Sequence, residues 1–305
     1  LRETEDAIRH TRPELVLSVD SPSFSLRVQG RIGDVGARRV HYVAPQAWAW
    51  RPGRAAKLAR IVDRVLYVLP FEEDFFRDYG VNGVYVGHPL VERVPASPGF
   101  LARERRPGPP VLCLLPGSRM SEIERHMPLL RGAVGELAAA RPDLHCILAT
   151  LPHLAERVEA AAAAWPAALT IEADPARRFH GYEAADLALA ASGTVGLELA
   201  LARLPTVVFY RTSPLTAAIA RRLVRVRFAS LINLVAGRLV VPELLQGNAT
   251  PARLADTARA LLDDPAAWRA QVAALSEVAA ELGADARPPS ARAAAAVAEV
   301  LEGGS

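Results

Sequence analysis

Leu115-Pro116-Gly117-Ser118-Arg119 and, further along, Ala191-Ser192-Gly193-Thr194 with Glu198 decide how this chain is read. Each is a glycine-bearing turn between an apolar run and a helix-like segment; the runs are Val111 to Leu115 and Asp186 to Ala190. A continuous apolar run of this length suits a strand buried on both faces. The turn that follows sets backbone N–H groups and a helix dipole where they hold a diphosphate. Two such turns in one half of the chain imply a nucleotide-type ligand. Arg119 leaves the first turn beside a predicted capping box of Ser121 and Glu124, which favours an anion there. Glu198 follows Thr194 by four residues, on the same predicted helix face and about 6 Å along the axis. It is placed either to accept ribose hydroxyls or as a plain surface residue of that helix, and spacing alone leaves both open.

Apolar runs alternate with helical patterns on both sides of these turns. Residues 15–19, 39–43, 64–69 and 83–86 read as strands of a first set, and 111–115, 144–150, 169–172, 186–190 and 206–210 as a second. Strand–helix alternation at this spacing predicts parallel sheets with right-handed crossovers. A Pro-, Gly- and Arg-rich stretch from Pro95 to Pro110 reads as the linker, giving domains at 1–107 and 108–305. The expected fold class is α/β: two Rossmann-like doubly wound domains with a cleft between them and ligands outside the carboxyl ends of the strands. An Ala-rich helical stretch closes the chain.

With 305 residues, 51% of them hydrophobic, the chain has material for two cores. No apolar stretch approaches the ~20 residues a spanning helix needs. Cys113 and Cys146 both lie in apolar runs, as buried thiols do, and a reducing cytoplasm fits. The formal charge is +3, yet Lys57 is the single lysine and the arginines are interleaved with acids, so nucleic acid is not expected as a partner. One local exception, Arg221, Arg222, Arg225 and Arg227 among apolar residues, reads equally as an anionic-lipid or phosphate contact and as a cationic helix end. No His/Cys/Asp cluster has metal-ligand spacing, so neither metal nor cofactor is expected.

In the first half, Asp20 follows the strand 15–19 and reads as a general base or as a helix N-cap. Trp48 and Trp50 follow another strand, where aromatics stack on sugar, line an acyl pocket or simply pack. His88 reads as a turn histidine.

Taken together these strings resemble the lipid-A-disaccharide synthase family of inverting GT-B glycosyltransferases. The resemblance is carried by Val19 to Phe24, His41 to Arg51, Leu69 to Glu72, Gly87-His88, Leu115 to Arg119, Ala191 to Thr194, Glu198, Tyr210-Arg211, Ser230 to Arg238 and Pro242 to Gln246. The order is collinear from about residue 11 to residue 260. It implies transfer of a sugar from UDP-2,3-diacylglucosamine to the 6-hydroxyl of 2,3-diacylglucosamine 1-phosphate (lipid X), giving UDP and the β-1,6 lipid A disaccharide with inversion.

By the same resemblance Gly117, Ser118 and Arg119 lie at the diphosphate, Ser192, Gly193 and Thr194 supply helix-end amides, and Glu198 takes the ribose. Glu243 and Gln246 approach the donor sugar or phosphate, and Trp48 and Trp50 belong to the acceptor or acyl side. Asp20 is the base or acceptor-orienting group, Arg119 relieves charge on departing UDP, and Asn233 bonds substrate or caps its loop. The implied location is cytoplasmic and peripheral on the cytoplasmic face of a Gram-negative inner membrane, with its anionic surface as a partner and a homo-oligomer allowed. Against the family pattern the chain opens at a helix leading into the 15–19 strand, without the first strand and its glycine loop. An incomplete N-terminal domain with an unpaired sheet edge is therefore expected. That keeps an inactive UDP-sugar-binding fragment in view, alongside another GT-B enzyme acting on UDP-N-acetylglucosamine.

Overall fold

Ten strands, all parallel, form two sheets among the described residues. The computed structural model describes residues 1–50, 52–213, 216–217 and 226–303, the side chain of Trp50 excepted. Arg221, Arg222 and Arg225 of the basic segment lie outside them. In chain order the first stretch runs α1 (Arg2–Thr11), β1 (Leu15–Val19), α2 (Pro22–Arg31), β2 (Arg38–Tyr42), α3 (Ala47–Trp50), α4 (Gly53–Ile61), β3 (Arg64–Tyr67), α5 (Glu72–Arg77) and β4 (Gly83–Tyr85). The second runs α6 (Pro98–Leu101), β5 (Val111–Leu115), α7 (Met120–Ala140), β6 (His145–Ala149), α8 (Ala155–Ala161), β7 (Ala168–Glu172), α9 (Arg178–Ala184), β8 (Leu187–Ala191), α10 (Val195–Leu201) and β9 (Thr206–Tyr210). It ends with α11 (Leu231–Val235), β10 (Glu243–Leu245), α12 (Pro251–Asp263), α13 (Pro265–Glu281) and α14 (Pro289–Glu302).

The chain divides into two units, one built on Leu1–Arg93 and the last helix, the other running from Val94 to Ala280. This differs from the sequence reading at both ends of the second domain. Residues 94–107 join the second unit because Phe100 and Arg103 are buried in it, although a Pro- and Arg-rich stretch reads as solvated linker. Helix α14 returns to the first unit, where Ala296 packs on Val40, Leu66 and Val86.

The first sheet is laid down in order, β1-β2-β3-β4, with β1 at an edge and its Leu17 and Val19 exposed. Its polar core is unusual for a parallel sheet. His41 Nδ1 and the Ser18 hydroxyl share a hydrogen bond of 2.8 Å, and Gln29 Nε2 donates to Ser18 Oγ at 3.0 Å and to the Val16 and Val40 carbonyls. Burial drives the imidazole of His41 down to about 4, and that of His88 likewise to about 4. His88 is the turn residue the sequence suggests: its Nδ1 accepts from the Leu90 N–H. Glu72 is buried too, and desolvation lifts its carboxyl to about 7 despite donors from Trp48, Val68 and Leu69.

These shifts act in opposite senses on stability. Each histidine is neutral in the fold and takes up a proton when unfolded, so its contribution is present above about pH 6.5 and is lost as pH falls toward 4, on the order of 3 kcal/mol apiece. Glu72 binds its proton more tightly when folded, so it favours the fold at low pH and loses that contribution between 4.5 and 7. Two histidines outweigh one glutamate. The first unit is expected to lose stability from pH 6.5 to 4 in chemical denaturation. His88→Asn, whose Oδ1 replaces the accepting Nδ1, is expected to flatten that slope.

The second sheet has order β10-β9-β8-β5-β6-β7. From β5 the chain winds outward through β6 and β7, then returns to the other side of β5 as β8 and winds the opposite way. The reversal sits between β5 and β8, the place where an open parallel sheet leaves a crevice at its carboxyl edge. One face carries Leu112, Leu114, Cys146, Leu148, Leu187, Leu189, Val207 and Phe209 against α7, α8 and α12. Cys113 alternates to the face covered by α9 and α10. Helices α7 and α12 approach closely at Gly132, where a Cβ would lie 2.8 Å from Pro251.

Candidate functional site

The turn after β5 and the turn after β8 open side by side at the reversal and line one cavity of about 290 Å³ in the second unit. Gly117, Ser118 and Arg119 form one wall and Ser192, Gly193 and Thr194 another. Thr150 and Leu151 beyond β6, and Arg178, Tyr182 and Glu198 from α9 and α10, complete it.

The two turns do different work. Helix α7 begins at Met120 with Arg119 as its N-cap, so the box predicted for Ser121 and Glu124 is displaced two residues toward the N-terminus. Glu122 reaches back: its Oε2 accepts from the N–H of Ser118 at 2.9 Å and of Arg119 at 3.3 Å. Its Oε1 meets Arg119 Nη1 at 3.0 Å and the Tyr210 hydroxyl at 3.2 Å. Gly117 is required there, with φ 125° and only 2.5 Å between an added Cβ and Glu122 Oε2. A carboxylate thus occupies the anion position of the first turn, and what this turn offers a ligand is the Arg119 side chain, 74% exposed. His126 braces the turn from below through Pro116 O at 2.6 Å and the Arg211 N–H at 3.1 Å.

At the second turn, Ser192 donates its N–H to Phe209 O and its hydroxyl to Ala229 O. The N–H groups of Gly193, Thr194 and Val195 open helix α10, where geometry provides no intrahelical acceptor. Gly193 faces open space, with nothing within 4 Å of an added Cβ. Gly193, Thr194 and Val195 all line the cavity.

Glu198 is not the surface residue that spacing allows. It is buried, and α9 supplies its partners: Arg178 Nη2 at 2.9 Å from Oε1 and the Tyr182 hydroxyl at 3.1 Å from Oε2. Burial and the nearby carboxylate push the Tyr182 hydroxyl well above its ordinary value, so it stays a donor. Arg178 and Tyr182 escaped the sequence reading, although their i, i+4 spacing puts both on one face of a helix. Glu122 escaped as well, though it stands at the N3 position of the capping pattern.

Other expected site residues sit elsewhere in the fold. Asn233 is fully buried and makes the four hydrogen bonds an amide can make. Nδ2 donates to Val241 O and Glu243 Oε1, and Oδ1 accepts from the N–H of Val240 and Val241. Its loop-cap alternative describes this geometry. Glu243 is held by that amide and by the N–H groups of Ala229 and Ser230. Gln246, at φ 53°, accepts from the Thr212 N–H. Trp48 packs instead of lining an acyl pocket: it is buried, edge-on to Phe71 at 5.1 Å, its indole N–H donating to Glu72. Asp20 is exposed and is not the N-cap, which is Ser21. Asp20 and Ser21 both have left-handed φ, 47° and 46°, pinned by Asp20 N–H to Tyr42 O and by Ser25 Oγ to Asp20 O. Two consecutive non-glycine residues in that region cost about 1–2 kcal/mol each. Such strain is characteristically retained where a side chain has work to do.

The sequence profile of the lipid-A-disaccharide synthetase family matches residues 1–297. The chain belongs to that family. The lipid-A-disaccharide synthase of Rhodospirillum centenum is 44% identical over 308 residues, covering 99% of this chain and 77% of the relative. That of Gluconobacter oxydans is 40% identical, covering 99% and 74%. Among solved structures, a putative UDP-N-acetylglucosamine 2-epimerase from Listeria monocytogenes superposes with TM-score 0.65 at 16% identity, over 100% of this chain and 79% of that one. The spinosyn rhamnosyltransferase SpnG complexed with thymidine diphosphate gives 0.62 at 16% identity, over 97% and 76%. At these identities the structures show the fold, the two-sheet GT-B type. The family membership weighs against another GT-B enzyme acting on UDP-N-acetylglucosamine.

Proposed function

We propose that the chain transfers 2,3-diacylglucosamine from UDP-2,3-diacylglucosamine to the 6-hydroxyl of lipid X, forming the β-1,6 disaccharide 1-phosphate and UDP. The observation that carries this is the cavity at the β5/β8 reversal, with its helix-end amides, arginine and buried carboxylate, in a chain of the lipid-A-disaccharide synthetase family. The diphosphate of the donor takes the N–H groups of Gly193, Thr194 and Val195, and Glu198 takes its ribose. Arg119 lies over the departing phosphate. Asp20 removes the proton of the acceptor hydroxyl as its oxygen attacks the anomeric carbon from the face opposite UDP. The bond to the β-phosphate oxygen breaks, and the charge released onto UDP meets the guanidinium of Arg119. Preorganised charge of this kind typically contributes several kcal/mol to such a step.

The acylated substrates assign the work to a membrane surface, on the cytoplasmic face of the inner membrane. No helix among the described residues is long and apolar enough to cross a membrane, which suits peripheral attachment. Arg119→Ala is expected to lower turnover by about 10²- to 10³-fold in a disaccharide-forming assay with both lipid substrates, with the melting temperature unchanged. Wild-type turnover in that variant would remove Arg119 from the reaction. UDP binding with no product from both substrates would instead favour a binding protein without transfer.

A further inference from the structure

Helix α9 faces the cavity with two donors one turn apart, Arg178 and Tyr182, and both are directed at one carboxylate, Glu198 on α10. The guanidinium of Arg178 lies 4.9 Å from the centre of the Phe179 ring, and its Nε is buried without a hydrogen-bond partner among the described residues. At the far end of the same two helices the buried guanidinium of Arg103 donates to Tyr182 O of α9, to Ala185 O just after it and to Ala202 O after α10. The pair of helices is therefore tied at both ends, and the carboxylate between them has little freedom to turn.

We propose that Arg178 and Tyr182 are positioning residues that make Glu198 a reader of ribose: by donating to one oxygen each they fix the carboxylate plane and keep it an acceptor, so the cavity selects ribonucleotides over 2′-deoxyribonucleotides. This rests on the donor-nucleotide reading above and extends it from what the site holds to what it rejects. A carboxylate held in this way can only accept, so any group it meets in the cavity must donate. A ribose supplies hydroxyl donors at two adjacent carbons; a 2′-deoxyribose supplies one and leaves a buried acceptor facing a C–H group. Setting a C–H group in place of a donor against a buried, already oriented carboxylate is the kind of mismatch that sites discriminate against strongly. The fold alone does not set this choice, since the rhamnosyltransferase of the same fold was solved with thymidine diphosphate, a 2′-deoxy nucleotide.

Titration calorimetry with UDP and with 2′-deoxy-UDP tests it on the wild-type chain and on Tyr182→Phe, Arg178→Lys, Arg178→Gln and Glu198→Ala, each checked by its melting temperature. The wild type is expected to prefer UDP by about 10- to 100-fold, the range that one hydrogen bond to a charged group produces. In Tyr182→Phe and Arg178→Gln the preference is expected to fall below about threefold through loss of UDP affinity, with 2′-deoxy-UDP affinity unchanged, and Arg178→Lys to keep part of it. A merely structural role would weaken both ligands together and leave the ratio standing. Folded Tyr182 and Arg178 variants that retain the wild-type ratio, while Glu198→Ala loses it, overturn the positioning role and leave the ribose assignment in place. A Glu198→Ala chain that keeps the ratio, or a wild type without preference, overturns the ribose assignment and this inference with it.

Discussion

Asp20→Asn is expected to reduce the rate of disaccharide formation by about 10²- to 10⁴-fold, the usual contribution of a positioned proton acceptor. Asparagine keeps the size and the local backbone of the position, and it tolerates the left-handed φ of 47° at least as well as aspartate. Folding is therefore expected to be unaffected. The measurement is the turnover number against pH, together with the affinity for UDP. Asp20 is not among the residues that line the cavity, so UDP affinity in the variant is expected to equal that of the wild type. A variant that turns over normally would exclude Asp20 as the base. One whose loss is confined to KM would make it an acceptor-orienting group.

Arg103→Met carries the largest expected loss of stability. The wild-type guanidinium is buried, and desolvation lowers its proton affinity only to about 10, so it stays charged at neutral pH. It donates to three carbonyls at the ends of two helices, at 3.0, 2.8 and 2.7 Å, where helix dipoles also favour a cation. Methionine fills most of the volume and leaves those three oxygens without their donors. Leaving buried acceptors without their donors costs about 1–3 kcal/mol each, and for a unit of this size a loss of several kcal/mol lowers Tm by about 10 °C. Arg103→Lys recovers part, since one ammonium cannot span three acceptors arranged for a planar fork. Because Arg103 also holds α9, the Met variant is expected to bind UDP more weakly under conditions where it remains folded. Calorimetric melting reads the first effect and titration with UDP the second. A Tm within 2 °C of the wild type would show that water replaces the guanidinium at little cost.

Much of the fold was legible because its strands are continuous apolar runs bounded by glycine and proline. The nine strands read from the sequence all occur, within a few residues at their ends. The tenth, Glu243–Leu245, did not announce itself, being three residues long and opened by a charged side chain. The two turns were legible for the same reason as the strands before them. Their division of labour was not, since it depends on which carboxylate reaches back: Glu122 caps the first turn because the helix starts at Met120 after an arginine, a residue that does not announce a helix start. The burial of Arg103 is not legible because its stretch is rich in prolines, glycines and further arginines, and its carbonyl partners lie about eighty to a hundred residues away. Asn233 shows the limit most clearly. Its family resemblance says that the residue matters; only the carbonyl and N–H groups of Val240 and Val241, beside Glu243, show that it matters by holding a loop.

The central strands of the second sheet carry one thiol on each face: Cys146 toward α7 and α12, Cys113 toward α9 and α10. Their neighbours in register are Leu112 and Ile147, so the two sulfurs are separated by the sheet itself. Burial pushes both thiols up to about 12, which leaves them unreactive in the folded state. Alkylation at either sulfur therefore clocks the lifting of one helical layer away from the strands. A mass-spectrometric count of which cysteine is tagged first distinguishes loosening of the cavity-lining layer from loosening of the opposite one, with no cysteine introduced into the chain.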